Sequence, residues 1–256
     1  MRIFALSDLH ADFEENLQWL RNLSQQDYQQ DLLVLAGDIS DRLEILEQVF
    51  SVLADRFLHV SFVPGNHELW LRGNRHDCSL EKFEDVIALA NDCGIETGVL
   101  ALGRLSIVPL LGWYDFSFGA ASRNLRLAWR DFHLCGWPER MQDEQAITEY
   151  FLSRNEPYLQ HRNDFVISFS HFLPRIDVMP DRIPQDRRIV YPVLGSTRLG
   201  EQVKALGPDI HVYGHSHVNR SVMLDGIQYI NNAFAYPSER RISRKALHLI
   251  HEVPGD

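Results

Sequence analysis

The chain has few cysteines, and they follow no pairing pattern. Cys78, Cys93 and Cys135 are the three cysteines among 256 residues, and no two of them form a C-x-x-C motif. An odd number without such spacing argues against a disulfide framework and is typical of proteins in a reducing cytosol. We expect each cysteine to be a small buried residue rather than a catalytic thiol.

Long apolar segments and an excess of basic residues are also lacking. No segment approaches the roughly 20 apolar residues that a membrane-spanning helix needs. Asp8 interrupts the apolar residues 1–7 too early for a signal peptide. The net charge of −10 argues against nucleic acid as the main partner, because nucleic-acid binding usually needs a basic surface. We therefore expect a cytoplasmic protein with no membrane partner.

The composition is that of a soluble globular enzyme. Hydrophobic residues make up 45% of the chain and charged residues 23%, so a large core can be buried. Repeats and long linkers are absent, which predicts one domain spanning residues 1–256. The segment from about residue 112 to residue 163 is dense in aromatic residues, and we interpret it as a lid inserted between core strands. Residues 174–192 are predicted to form a second long loop.

Short apolar strands alternate with helix-like segments. Strands are predicted at Arg2–Leu6, Leu32–Ala36 and His59–Val63, and helices at residues 13–23, 43–54, 80–90 and 139–153. Further strands are predicted at residues 105–110, 165–169, 210–213, 220–224, 228–230 and 246–250. This alternation is typical of an α/β fold with a largely parallel sheet covered by helices on both faces.

Residues able to bind metal ions follow five of the predicted strands. They are Asp8 and His10, Asp38 and Asp41, Asn66 and His67, His171, and His215 and His217. Because the carboxyl ends of parallel strands converge on one crevice, these side chains can meet there. An extended backbone in the D-x-H and H-x-H motifs would point both side chains to the same face. Gly37, Gly65 and Gly214 would allow the sharp turns that aim the next side chain into the crevice.

The specificity of these motifs comes from their combination. A single Asp-x-His or Gly-Asp after a strand is mostly turn chemistry, and a single histidine is mostly a surface residue. Gly-Asn-His-Glu at residues 65–68 and Gly-His-Ser-His at residues 214–217 have no obvious structural purpose. Carboxylate, imidazole and amide ligands without sulfur suit manganese, iron or zinc rather than a structural zinc site. The central position of Asp38 among the motifs would let its two oxygens bridge two ions.

Together, the motifs resemble the calcineurin-like metallophosphoesterase superfamily from residue 8 to residue 217. The resemblance implies a sandwich of two mixed β-sheets packed face to face and flanked by helices, with two divalent metal ions. It assigns the first ion to Asp8, His10, Asp38 and His217. It assigns the second ion to Asp38, Asn66, His171 and His215, with Asp38 bridging. Manganese is the favoured metal, with iron and zinc as alternatives.

The resemblance also implies the reaction, which is the hydrolysis of a phosphomonoester or phosphodiester of a small molecule. Two ions about 3.5–4 Å apart would share a hydroxide that attacks phosphorus. His67 would contact the phosphate and protonate the leaving group as general acid. Asp41 would orient His67 and favour its protonated form. Asn66 would bind metal through its carbonyl and a phosphate oxygen through its NH₂ group.

Two departures separate the chain from the protein serine/threonine phosphatases of this superfamily. Leu43 stands where they carry a glycine, and Pro64 stands where they carry a phosphate-binding arginine. The start at residues 7–10, Ser-Asp-Leu-His, is more similar to the small-molecule phosphodiesterase and DNA-repair nuclease branches.

Two alternative functions differ in what they require of the sequence. A nuclease of the same superfamily would need a basic track and usually further domains, and this acidic chain shows neither. A catalytically inactive protein-binding scaffold would lack metal ligands or the catalytic histidine, whereas this chain has all of them. A metal-dependent phosphoesterase is therefore the favoured hypothesis.

Some residues near the motifs have two interpretations. Six arginines would either clamp a substrate phosphate or lie on the surface: Arg72, Arg75, Arg175, Arg182, Arg187 and Arg188. Trp113 and Tyr114 would either stack on a base or an aromatic leaving group or pack within the inserted segment.

Overall fold

The computed structural model describes residues 1–73, 76–141 and 143–253, so Arg75 lies outside the described residues. The strands are β1 (Arg2–Leu6), β2 (Leu32–Ala36), β3 (His59–Val63), β4 (Leu100–Leu102), β5 (Leu105–Pro109), β6 (Phe165–Ser170), β7 (Ile210–Tyr213), β8 (Arg220–Leu224), β9 (Ile227–Asn231) and β10 (His248–Glu252). The helices are α1 (Glu14–Arg21), α2 (Leu43–Arg56), α3 (Ser79–Asp92), α4 (Arg123–Ala128), α5 (Asp131–Leu134), α6 (Glu144–Asn155) and α7 (Thr197–Leu206). Short 3-10 turns lie at His67–Leu69, Glu156–Tyr158, Ile176–Val178 and Gln185–Val193.

The strands form two sheets. The first has four strands in the order β10-β1-β2-β3, and the second has six in the order β4-β5-β6-β7-β9-β8. Within the first sheet β1, β2 and β3 are parallel, and β10 pairs antiparallel with β1. Within the second sheet β5, β6, β7 and β9 are parallel, and the edge strands β4 and β8 are antiparallel. Both sheets are therefore mixed.

The two sheets pack face to face between two layers of helices. Val34 of β2 and Phe169 of β6 belong to the apolar layer between the sheets. Leu33 and Leu35 point to the opposite face of β2, as the alternation of a strand requires, and pack with α1, α2 and α3. The outer face of the second sheet packs against α6 and α7 in a third apolar cluster. All five strand ends that carry candidate ligands open at the same edge of this sandwich.

The two mixed sheets implied by the family resemblance are confirmed. The strand pattern predicted a largely parallel sheet, and the parallel strands are instead divided between two sheets with antiparallel strands at their edges. Strands of both sheets are buried on both faces, as the fully buried β2 and β5 illustrate. Their apolar sequences therefore carry no signal of which sheet each strand joins.

The sequence pattern also missed α7, although its ends carry capping signals. The Ser196 hydroxyl accepts a hydrogen bond from the Arg198 backbone N–H, and Gly207 ends the helix with φ +64°. Among the described residues, no helix is long and apolar enough to cross a membrane.

The aromatic segment at residues 112–163 connects β5 to β6 and carries α4, α5 and α6. Trp113 and Tyr114 are each 1% exposed and stack on one another with ring centroids 5.0 Å apart. Phe151 of α6 packs edge-on against Phe83 of α3. Packing within the protein is therefore the correct interpretation of Trp113 and Tyr114, because buried rings cannot stack on a substrate.

Candidate metal centre

Loops at the carboxyl ends of β1, β2, β3, β6 and β7 bring the predicted ligands together. Asp8, His10, Asp38 and His217 form one buried group whose candidate ligand atoms lie within 4.8 Å of one another. Asp38, His171 and His215 form a second such group. Asp38 belongs to both groups, as the proposed bridging role requires.

The backbone at several of these residues is left-handed rather than extended. Five ligand candidates have left-handed φ values: Asp8 (52°), His10 (45°), Asp38 (56°), His215 (66°) and His217 (54°). The expectation that D-x-H and H-x-H lie on extended backbone is therefore wrong. Asp and His tolerate this region better than bulky residues do. Backbone hydrogen bonds hold the turns, including Asp8 N–H to the Gly37 carbonyl (2.8 Å) and His10 N–H to the Asp38 carbonyl (3.0 Å).

Two glycines predicted to allow sharp turns are required by the close approach of the loops. Gly37 has φ +77°, which favours glycine. A Cβ atom at Gly65 would lie 2.2 Å from Oδ1 of Asp38 and 2.7 Å from the ring of His171. Any side chain at position 65 would therefore displace two candidate ligands.

Glu68 joins two of these loops through hydrogen bonds to their backbone. Its buried carboxylate accepts hydrogen bonds from the backbone N–H groups of Asp38, Ile39, Ser40 and Gly65 at 2.6–3.1 Å. These donors belong to the loops after β2 and β3. Glu68 ends the Gly-Asn-His-Glu motif, and these hydrogen bonds explain why a carboxylate stands there.

In the first group, His217 contacts His10, Asp8 and Glu239, and the negative charges of the two carboxylates favour a cation. Nε2 of His217 lies 3.0 Å from Nε2 of His10 and 3.3 Å from Oδ1 of Asp8. Nδ1 of His217 donates to Oε2 of Glu239 at 2.7 Å. Burial lowers the pKa of His217, but the carboxylates of Asp8 and Glu239 raise it to about 9. Burial raises the pKa of Asp8, but His217 brings it down to about 2.

In the second group, His171 lies at the centre. Its Nε2 is 3.0 Å from Nδ1 of His215, 3.1 Å from Oδ1 of Asn66 and 3.4 Å from Oδ2 of Asp38. Nδ1 of His171 donates to the Ala36 carbonyl at 2.9 Å. Nε2 of His215 donates to the Val193 carbonyl at 3.0 Å.

The hydrogen-bond pattern shows that these residues fit metal ions. A carbonyl oxygen only accepts, so the outward nitrogens of His171 and His215 carry the protons. Burial lowers the pKa of both rings, which keeps them neutral. Their inward nitrogens therefore present lone pairs to each other 3.0 Å apart. Two lone pairs repel at this distance, whereas neighbouring ligands of one ion with bonds of about 2.1 Å lie about 3 Å apart.

His67 lies beside both groups and belongs to neither. Its ring stacks on Trp70 with centroids 3.6 Å apart and meets the edge of His10 at 4.7 Å. Nε2 of His67 is 3.7 Å from Oδ2 of Asp38. Burial, together with the neighbouring histidines His171, His217 and His215, lowers the pKa of His67 well below its usual range.

Asp41 has a different partner from the one the resemblance implies. Its Oδ2 lies 2.8 Å from Nε of Arg72, and its backbone carbonyl accepts from the buried ammonium of Lys82 at 2.6 Å. Asp41 and His67 line the same cavity. The role of Asp41 in orienting His67 stays a prediction.

Two adjoining cavities open onto the site. One of about 340 Å³ is lined by Asn66, His67, Trp70, Trp129, Arg130 and Tyr236, among others. A wider one of about 1040 Å³ shares His67, Trp70, Arg130 and Tyr236 with it and adds His10 and Arg72. Arg72 therefore lies at the site, whereas Arg175 pairs with Asp177 and Asp225, and Arg188 donates to carbonyls of its own loop.

Four residues that shape the site were not predicted from the sequence. Tyr236 stacks on His10 at 4.3 Å, Glu239 accepts from His217, Arg130 lines both cavities, and Asp131 accepts from Asn66. None of them follows a predicted strand in a metal-binding motif. The dense aromatic residues around Asp131 were the one available signal for its segment.

Known proteins share sequence and fold with this chain. A family model described as calcineurin-like phosphoesterase matches residues 1–219. The [acyl-carrier-protein] phosphodiesterase PptH of Mycobacterium tuberculosis is 26% identical over 282 residues, which cover 99% of this chain and 83% of the relative. The crystal structure of phosphopantetheinyl hydrolase PptH from the same organism has a TM-score of 0.80 at 23% identity, covering 99% of this chain and 98% of that chain.

Proposed function

Because this chain belongs to the calcineurin-like phosphoesterase family, we propose that it hydrolyses the phosphodiester between a phosphopantetheinyl group and an acyl carrier protein. The similarity to PptH over 99% of the chain carries the proposal. The phosphoesterase class itself follows from the family. The proposed substrate is that of the relative, and the cavities beside the candidate metal centre have room for an extended group of this kind.

We assign the first ion to Asp8, His10, Asp38 and His217, as the first buried group supports. Asp38, Asn66, His171 and His215 would hold the second ion. Oxygen and nitrogen ligands without sulfur favour manganese, with iron or zinc as alternatives. Bound there, divalent ions would supply water activation and neutralise charge on the phosphoryl oxygens.

His67 would protonate the leaving oxygen. The leaving group of the proposed substrate is the hydroxyl of a carrier-protein residue, which departs poorly as an alkoxide and needs a proton. Without substrate, burial keeps the pKa of His67 low. An arriving phosphodiester brings negative charge next to the ring, which favours the protonated form. Trp70 would hold the ring in place through the stacking contact at 3.6 Å.

Aromatic and basic side chains around the smaller cavity would bind the rest of the substrate. Trp129 and Tyr236 offer flat apolar surfaces for an extended chain, and Arg130 offers a cation for the phosphate. Three free cysteines support a cytoplasmic location, where thiols stay reduced.

The test is mass spectrometry of a carrier protein loaded with its phosphopantetheinyl group. Incubation with manganese-loaded enzyme should remove the whole group, and a strong chelator should prevent this. In ¹⁸O-labelled water, the label should enter the phosphoryl group of the released phosphopantetheine and not the carrier protein, because hydroxide attacks phosphorus. An unchanged carrier protein, with bis-aryl phosphate still hydrolysed, would contradict the proposed substrate while leaving the phosphoesterase class intact.

A further inference from the structure

Asp131 lies in the aromatic segment and reaches the second ligand group. It begins the short helix α5 and is 3% exposed. Its Oδ1 lies 2.9 Å from Nδ2 of Asn66, across 65 residues of chain. Within residues 1–73, 76–141 and 143–253, Asp131 is the only carboxylate that hydrogen-bonds to the Asn66 side chain.

The neighbours of Asp131 require both of its oxygens to accept. Nε1 of Trp70 donates to Oδ1 at 2.7 Å, and Nε1 of Trp129 donates to Oδ2 at 2.7 Å. An indole N–H can donate but cannot accept. Each carboxylate oxygen therefore presents a lone pair, and not a proton, to the indole N–H that it faces.

This requirement fixes the orientation of the Asn66 side chain. A rotated amide would exchange its oxygen and its NH₂ group, and the oxygen would then face another acceptor. With NH₂ held against Asp131, the carbonyl oxygen points to His171, whose Nε2 is 3.1 Å away. That is the orientation in which Asn66 offers a metal ligand.

We propose that Asp131 is a positioning residue for the second metal ion, acting by holding the Asn66 carbonyl towards it. The inference rests on the two-metal site of the proposed function and is independent of the substrate proposed there. Partners that orient a metal ligand typically contribute roughly 10–100-fold to metal affinity. The aromatic segment, through this one carboxylate, is then part of the metal centre.

The first experiment is calorimetric titration of metal-stripped protein with Mn²⁺. Asp131→Asn should weaken the second binding event roughly 10–100-fold and leave the first unchanged. An amide has one acceptor oxygen, so its NH₂ must face either Trp129 or the pair Trp70 and Asn66. In the second arrangement, Asn66 turns its carbonyl away from the ion.

The matched control is Asp115→Asn, since Asp115 is another buried carboxylate of the same segment. It is 7% exposed and accepts from Ser117 and Ser196, away from the ligand groups. Its substitution should leave both Mn²⁺ affinities unchanged. Equal losses in the two variants, or an unchanged second event in Asp131→Asn, would overturn the proposal.

Two double variants separate positioning from general disruption. Trp129→Phe removes the donor facing Oδ2, so adding it to Asp131→Asn lets the NH₂ group settle there and should restore the second Mn²⁺ affinity. Trp70→Phe removes the donor facing Oδ1, so adding it to Asp131→Asn should weaken that affinity further. Each tryptophan substitution alone should change the second Mn²⁺ affinity little, because Asp131 then still accepts from Asn66. If Asp131 only stabilised the fold, both double variants would change the second Mn²⁺ affinity in the same direction. That result, obtained with folded protein, would overturn the proposal.

Discussion

Glu239 and His217 form a carboxylate–histidine pair at the edge of the first ligand group. Oε2 of Glu239 accepts from Nδ1 of His217 at 2.7 Å, and the opposite nitrogen of the ring points to Asp8 and His10. Oε2 of Glu239 also accepts from the backbone N–H of Tyr236 at 3.1 Å, which ties the pair to the cavity wall. A carboxylate in this position fixes the tautomer of a metal-binding histidine and increases its basicity.

Replacing Glu239 with Gln should therefore weaken the first metal site. The amide can still accept one hydrogen bond, but it loses the charge that makes His217 a better ligand. We expect the Mn²⁺ concentration for half-maximal activity to rise roughly tenfold or more. Glu96→Gln is the control, because Glu96 pairs with His59 at 2.9 Å outside the site. Equal Mn²⁺ requirements in the two variants would contradict the assigned role.

Replacing Asp38 with Asn should remove both ions. Asp38 is the one residue shared by the two ligand groups, and a neutral amide cannot bridge two cations as a carboxylate does. Elemental analysis should find little metal, and activity should be nearly lost. Cys93→Ala, at a partly buried free cysteine, should keep both at wild-type levels. Normal metal content in Asp38→Asn would disprove the bridge.

Replacing His67 with Ala should separate metal binding from proton transfer. The protein should keep two metal ions, while kcat on an alkyl phosphodiester falls roughly 10²–10⁴-fold, the range for loss of a general acid. A nitrophenyl ester should lose much less, because nitrophenolate leaves without a proton. Equal losses on the two esters would indicate that His67 stabilises charge on the phosphoryl oxygens instead. Loss of metal would identify it as a ligand.

His211 should make the folded protein sensitive to acid. The ring is fully buried between the hydroxyls of Ser168 and Ser170, and burial lowers its pKa from 6.5 to about 3. As the pH falls from 6.5 to 3, the unfolded chain binds a proton here and the folded chain does not. The free energy of unfolding therefore decreases, by up to about 1.4 kcal/mol per pH unit.

His211→Gln keeps a donor and an acceptor but cannot titrate. Its free energy of unfolding should decline less steeply than that of the wild type over the same pH window. Urea denaturation at several pH values checks this, with both proteins stripped of metal so that ligand protonation contributes equally. Parallel curves would show that His211 does not cause the slope.

The site residues that could be predicted from the sequence are those in motifs at the ends of apolar strands. Asp8, Asp38 and His215 each follow an apolar strand directly, so the strand pattern locates them. Asp131 could not be found in this way, because it meets Asn66 across 65 residues. Glu239 meets His217 across 22 residues, from the segment between β9 and β10, which has no periodic pattern. Most strand boundaries were predicted closely, although β4 was missed and β10 was predicted two residues too early. The division into two sheets depends on contacts that apolar strands do not encode.

The left-handed backbone at the candidate ligands limits which residues this protein can accept there. At Asp8, Asp38 and His217, where φ lies between 52° and 56°, most residues would add about 1–2 kcal/mol of backbone strain. A β-branched replacement would therefore remove a metal ligand and also destabilise the fold. Asn and Gly tolerate this backbone, so they would remove a ligand and leave the loops in place. A descendant that kept this architecture after losing catalysis would be expected to carry Asn or Gly at these positions.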